Sequence, residues 1–245
     1  MVVHPSADAL ATAIVERLIA RLVEVQRARR SASLVLTGGG TGIAVLERVR
    51  ASAACDSVDW SSVDIYWGDE RFLPDGDPQR NETQARAALL DHVPVDPARV
   101  HPMAPSDGAF GDDPDAAASA YASVVEGKLD FDVLLLGVGE EGHTLSVFPT
   151  SPAVYETERP VVAVRDCPKP PPTRVSLTLT AARNAHEVWL MTAGANKAEA
   201  VAAALSGADE VQLPAAGARG RDLTLWLLDE AAAAKAPGAA APPVA

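Results

Sequence analysis

The feature that most constrains the fold is a repeated unit: a short apolar run, a glycine-rich or charged turn, then residues with helical spacing. SLVLT (33–37) runs into GGGTG (38–42) and then IAVLERVRA (43–51). VDIYWGDE (63–70) reads as a strand leading into a polar loop, with PQRNETQARAALLDHV (78–93) as the helix after it. HEVWLMT (186–192) feeds GANKAEAVAAAL (194–205) in the same way. Strands that alternate with helices predict an α/β fold built on a mainly parallel sheet with helices on both faces. FDVLLLGVG (131–139) is the most apolar run and belongs at the centre of such a sheet, where both faces are covered. VVAV (161–164), RVSLTL (174–179) and LTLWLLDE (223–230) supply further strands. Residues 6–29 set Leu10, Ile14, Leu18, Leu22 and Val25 on one helical stripe, with Ser6 as a capping residue.

No long linker divides the 245 residues. Residues 1–230 are therefore expected to form a single domain, and 231–245 (AAAAKAPGAAAPPVA) a disordered low-complexity tail. The stretch 103–114, rich in Pro, Gly and Asp, reads as a loop. A net charge of −12 argues against nucleic acid and anionic membrane as partners, because both demand a basic face. No run reaches the roughly 18 apolar residues of a membrane span. The N-terminal segment carries Asp8, Glu16, Arg17 and Arg21 with no basic stretch before an apolar run, which argues against a signal peptide. Cys55 and Cys167 lie far apart and suggest neither a disulfide framework nor a metal cluster. Together these features predict a cytoplasmic protein, a monomer or weak oligomer acting on a small molecule.

In open α/β sheets the ligand sits at the carboxyl ends of the strands, so the loops after the strands hold the candidates. In TGGGTG, Gly38, Gly39, Gly40 and Thr41 let a backbone approach closely and open a helix whose free N–H groups favour an anion. A tight turn without a ligand is the other reading of that loop. No Gly-Lys-Ser/Thr follows, so it is not a Walker A loop. WGDERFLP (67–74) offers Asp69 and Arg71 beside the sheet, either as a solvated ion pair or as a charged group meeting an anion or carbonyl oxygen. GVGEEGHTLSVFPT (137–150) formally fits a dinucleotide fingerprint at Gly137, Gly139 and Gly142. Glu140 and Glu141 stand where pyrophosphate would approach and Pro149 interrupts the next segment, so that reading fails. His143, in a glycine-flanked loop at the end of the most apolar strand, is the candidate base. Arg174 opens a strand; Lys197 opens a helix, where the dipole disfavours a cation unless an anion is bound. Nucleophile-elbow and metal-ligand spacings are absent from the sequence, so the reading includes neither metal nor cofactor.

WGDERFLP, Asn81 in QRNETQARAALL, LLGVGEEGHTLSVFP (135–149), KPPPTRVSLTL (169–179) and GANKAEAV (194–201) resemble the 6-phosphogluconolactonase family. That family shares a superfamily with glucosamine-6-phosphate deaminase. The resemblance runs from about residue 37 to about residue 228. It implies a Rossmann-like fold and hydrolysis of 6-phospho-D-glucono-1,5-lactone to 6-phosphogluconate, the second step of the oxidative pentose phosphate pathway. It implies His143 as general base and Arg71 near the substrate. It implies the glycine loop, Arg174 and Lys197 on the sugar-phosphate side. Departures from the family pattern are Glu141 in place of Asp, Gly42 in place of Pro, and Thr150 in place of Gly.

A δ-lactone is an activated ester, so a base for water and fixed positive charge for the carbonyl oxygen suffice. Asp69 or Glu141 would orient the imidazole or the substrate. Two rivals remain at this stage. One is an aldose–ketose isomerase or deaminase acting on an amino-sugar phosphate, although the Thr-x-Ser-x-Phe-Pro run seen here is not typical of it. The other is a non-enzymatic sugar-phosphate sensor, against which stands the lack of a helix-turn-helix extension or basic patch.

Overall fold

An uninterrupted apolar strand needs cover on both faces, and Val133–Gly137 receives it at the middle of a seven-stranded sheet. The structure, a computed structural model, describes residues 1–238. Its first half comprises β1 (Val2–His4), α1 (Ala7–Arg29), β2 (Ala32–Leu36), α2 (Gly39–Ala51), β3 (Val63–Trp67), β4 (Asp69–Arg71), α3 (Asn81–Ala88), β5 (Val100–His101), α4 (Pro114–Val125) and β6 (Val133–Gly137). Its second half comprises β7 (Val161–Val164), β8 (Arg174–Leu177), α5 (Leu179–Ala182), β9 (Glu187–Thr192), α6 (Ala198–Leu205), α7 (Pro214–Gly217), β10 (Leu223–Asp229) and α8 (Glu230–Ala233).

The large sheet has the order β1-β10-β9-β6-β2-β3-β5, and every pairing is parallel. Two cores flank it. Val133 and Leu135 of β6 face one with α1 and α2, while Leu134 and Leu136 face the other with α4 and the small sheet. This is the α/β class with a Rossmann-like parallel sheet and helices on both faces. The α1 stripe is buried along Leu10, Ile14, Leu18, Leu22 and Val25, and Ser6 accepts from Ala9 N at 3.1 Å as its cap.

Three features depart from the sequence reading. Asp69–Arg71 is not a loop but a strand of a second, three-stranded antiparallel sheet in the order β4-β8-β7. Its register sets Arg71 against Arg174 and Asp69 against Ser176. Residues 114–125, unassigned from sequence, form α4, capped by Asp113, whose Oδ1 accepts from Asp115 N and Ala116 N. The first residues of the tail expected from Ala231 are ordered: α8 is helical, Asp229 caps it, and Ala232, Ala233 and Ala236 are buried. The rest of the proposed tail, 239–245, lies outside the described residues.

The strand order reverses between β2 and β6. From β2 the chain moves outward to β3 and β5, and from β6 it moves the other way to β9 and β10. The loops that follow β2 and β6 therefore diverge and leave a crevice at the carboxyl edge of the sheet.

Candidate active site

A cavity of about 390 Å³ opens at that crevice, a size suited to a small molecule. Nine of the ten site residues inferred from sequence line it: Gly38, Gly39, Gly40, Thr41, Asp69, Arg71, His143, Arg174 and Lys197. Glu141 does not. It stands behind His143 and lines a neighbouring cavity with Phe148 and Pro168. Four cationic side chains face one carboxylate in the lining, so the local charge is opposite to the net charge of the chain.

The glycine loop forms the first turn of α2, which starts at Gly39. The first N–H groups of a helix lack intrahelical partners, and the residues that carry them here line the cavity. Gly38 has a specific reason: a Cβ there would stand 1.9 Å from Asn81 Oδ1. Asn81 in turn donates Nδ2 to Asp69 O at 2.8 Å and so ties the start of α3 to β4.

Strand β4 holds its charged side chains through α3. Glu70 is buried, and its carboxylate accepts from Arg71 N (2.8 Å), Asn81 N (2.6 Å) and Glu82 N (2.8 Å). Burial pushes that carboxyl up to about 7, against those three N–H groups and Arg80. Arg71 Nη1 donates to Gln79 O at 2.6 Å, while its buried Nε has no protein partner. Asp69 Oδ2 accepts from Ser146 Oγ at 2.6 Å.

The turn after β6 is closed by Gly139 N donating to His143 O at 2.8 Å and Gly142 N to Gly139 O at 3.1 Å. Gly142 has φ +86, a conformation other residues rarely adopt. The His143 ring stacks on Phe148, with centroids 4.4 Å apart. Its Nδ1 lies 2.9 Å from Glu141 Oε1. An ionised carboxylate only accepts, so Nδ1 carries the proton and Nε2 keeps its lone pair. Nε2 has no protein partner among the described residues. Burial depresses the His143 pKa, with a smaller push from Lys169 against the opposing effects of Glu141 and Asp69. Burial works to raise the Glu141 carboxyl, but its hydrogen bond to Lys169, a backbone hydrogen bond and His143 outweigh it and hold it low.

Arg174 lines the cavity but is largely occupied. Nε donates to Pro171 O (3.2 Å) and Nη2 to Lys169 O (3.2 Å), while Nη1 lies 3.9 Å from Asp69 Oδ2. It fastens the 169–171 segment, a task additional to the substrate-side placement inferred from sequence. Lys197 has no carboxylate partner among the described residues, and its pKa is lowered by burial and then by Lys169. Its turn is anchored by Gly194 N on Asp229 (3.0 Å) and Asn196 Nδ2 on Glu140 (2.6 Å). Lys169, Asn81 and Thr192 also line the cavity and were not among the sequence candidates. The available signal was Lys169 in KPPP, five residues before Arg174. No group of three or more His, Cys, Asp or Glu among the described residues is arranged to hold a metal ion. No helix among them is long and apolar enough to cross a membrane.

The family profile described as glucosamine-6-phosphate isomerases/6-phosphogluconolactonase matches residues 5–226. The chain belongs to this family. Within it, the chain is 57% identical to a 6-phosphogluconolactonase of Streptomyces coelicolor, over 99% of this chain and 97% of that one. It is 52% identical to a 6-phosphogluconolactonase of Mycobacterium tuberculosis, over 96% and 97%. The crystal structure of a 6-phosphogluconolactonase from Trypanosoma cruzi superposes with a TM-score of 0.79 at 25% identity, covering 95% of this chain and 94% of that one. A monomeric glucosamine-6-phosphate deaminase also reaches 0.79, at 21% identity over 96% and 98%. Family architecture alone therefore does not separate lactonase from deaminase.

Proposed function

We propose that the chain hydrolyses 6-phospho-D-glucono-1,5-lactone to 6-phosphogluconate, the second step of the oxidative pentose phosphate pathway. The observation that carries this reading is His143 in the lining of a cationic cavity built at a helix N-terminus, with Glu141 on its Nδ1 and no protein partner on Nε2 among the described residues. Relatives named as lactonases at 50–57% identity over nearly the whole chain favour it over the deaminase reading. A non-enzymatic sensor would have no use for that base.

In this reading His143 Nε2 takes a proton from water as the oxygen attacks C1, and the carbonyl oxygen gains negative charge beside Arg71. Collapse of the tetrahedral intermediate breaks the C1–ring oxygen bond, and that oxygen takes the proton from the imidazolium. General-base help of this kind is worth about 10²–10⁴-fold. Glu141 orients His143, and Asp69 orients the segments around it. The N–H groups at Gly38–Thr41 and the Lys197 ammonium bind the distant phosphate, which positions C1. The working form in this reading is a monomer or weak oligomer acting on a small molecule, with neither nucleic acid nor membrane as partner. Free thiols at Cys55 and Cys167 suit a reducing cytoplasm.

The test is acid release from freshly generated phosphogluconolactone, measured against its spontaneous hydrolysis. Turnover above that background that is lost in His143→Gln is expected. Ammonia release from glucosamine-6-phosphate, or binding of the lactone without turnover, would refute the reading.

A further inference from the structure

Three side chains, two from the turn after β6 and one from the β7–β8 loop, form a line that ends at the imidazole. Lys169 Nζ stands 2.8 Å from Glu141 Oε2, and Glu141 Oε1 stands 2.9 Å from His143 Nδ1. Each carboxylate oxygen is thus held by a different donor, so the group is fixed in plane and rotation. Lys169 is itself anchored through its main chain, whose carbonyl accepts from Arg174 Nη2. Cys167 N donates to Pro172 O at 3.0 Å and closes the same loop. On the other side there is no slack: a Cβ at Gly139 would lie 1.9 Å from His143 Nδ1 and 2.9 Å from Glu141 Oε2.

We propose that Lys169 is a positioning residue for the hydrolytic reaction: by occupying Glu141 Oε2 it keeps the carboxylate on His143 Nδ1 and so keeps Nε2 aimed into the cavity. The proposal deepens the lactonase reading and rests on it. Lys197 is the contrast, since it lines the same cavity with no carboxylate partner among the described residues and is free for phosphate. Lys169 is already engaged, and its role is read through kcat rather than KM.

The charges that face His143 give the proposal a distinctive sign. Glu141 on its own loop and Asp69 on β4 favour the imidazolium, whereas Lys169 on the β7–β8 loop disfavours it. Arg174 on β8 faces Asp69, and Lys197 with Glu140 lies beyond, coupled to Lys169 and Glu141. Removing Lys169 and removing Glu141 therefore move His143 in opposite directions.

The experiment compares wild type with Lys169→Met, Lys169→Arg and Glu141→Gln. It reads the His143 ring titration by NMR alongside the pH profile of kcat/KM for the lactone. Lys169→Met is expected to raise the His143 pKa and shift the acid limb upward. It should lower kcat on the order of tenfold through lost alignment and leave KM nearly unchanged. Glu141→Gln is expected to lower the His143 pKa, and Lys169→Arg to restore both limb and kcat. A Lys169→Met protein with raised KM and normal kcat would make Lys169 a phosphate ligand and overturn the proposal. An unmoved ring titration would overturn it as well. A ring titration that moves while the acid limb stays put would instead overturn His143 as the base.

Discussion

Ser146 Oγ donates to Asp69 Oδ2 at 2.6 Å, and both side chains are buried. The contact joins the segment that carries His143 to the strand that carries Arg71, two elements 77 residues apart. Asp69 has few other donors: Asn81 Nδ2 is 3.5 Å from Oδ1, and Arg174 Nη1 is 3.9 Å from Oδ2. Ser146→Ala is therefore expected to destabilise the protein by about 1–3 kcal/mol, the range for depriving a buried charge of a hydrogen bond. Urea unfolding measures this. Stability equal to wild type would mean that Asp69 is satisfied without Ser146.

Burial holds the His143 pKa below its ordinary value of 6.5, so the ring is neutral at neutral pH and stays neutral somewhat below pH 6.5. A base must be unprotonated to act. The acid limb of kcat/KM is therefore expected below pH 6.5, with a plateau through pH 7–8. The stability linkage has the same direction. A group whose folded pKa is depressed contributes stability above its unfolded value and loses it as pH falls through the folded one. His143→Gln is expected to remove this limb and to lower kcat by about 10²–10⁴-fold with a smaller change in KM. An acid limb centred above pH 6.5, or one that survives in His143→Gln, would point to another base.

Much of this was legible in the sequence, for physical reasons. β6 was readable because both of its faces are buried and polar residues do not interrupt it. α1 was readable because one buried stripe follows a capping serine. From sequence Asp69–Arg71 reads as a loop, because a three-residue polar strand has no apolar alternation to reveal it. Its partner, Arg174, lies more than a hundred residues away in the chain. α4 gives little sequence signal because its buried face is Pro114, Ala117 and Ala118, with only Tyr121 and Val125 as large side chains. The fastening role of Arg174 on 169–171 was not legible, because sequence does not show which backbone carbonyls its guanidinium meets. Lys169 was passed over because its carboxylate partner lies 28 residues upstream on a different loop.

Lys197 and Arg174 should separate cleanly. Lys197→Met removes a charge with no carboxylate partner among the described residues and leaves the packing around it largely intact. KM is expected to rise roughly tenfold or more, the loss of one charge-assisted contact of about 1.5–3 kcal/mol, with kcat less affected. Arg174→Met unfastens the Lys169–Pro171 segment and is expected to lower both stability and kcat. Steady-state kinetics with thermal unfolding of both variants checks this. Equal rises in KM with unchanged stability would make Arg174 a phosphate ligand without the fastening role.

Two non-glycine residues near His143 sit in the left-handed region, and they differ in what they gain from it. Leu145, at φ 56, is buried in the cavity wall, and its Cδ2 occupies the space that a Cβ on Gly68 would need. Its side chain repays the conformation through packing. Thr150, at φ 55, is exposed, and its backbone N–H donates to Val211 O at 2.8 Å, a bond that any residue would keep. It also stands where the family pattern has glycine. The left-handed conformation costs a residue with a Cβ about 1–2 kcal/mol, and glycine gives back roughly 0.5–1 kcal/mol through the greater freedom of its unfolded chain. Thr150→Gly is thus expected to stabilise the protein by up to about 1 kcal/mol, a rise in Tm of about 2–4 °C for a chain of this size, with kcat unchanged. Calorimetry decides it. A fall in Tm would mean that the threonine side chain contributes contacts that outweigh the strain of its backbone.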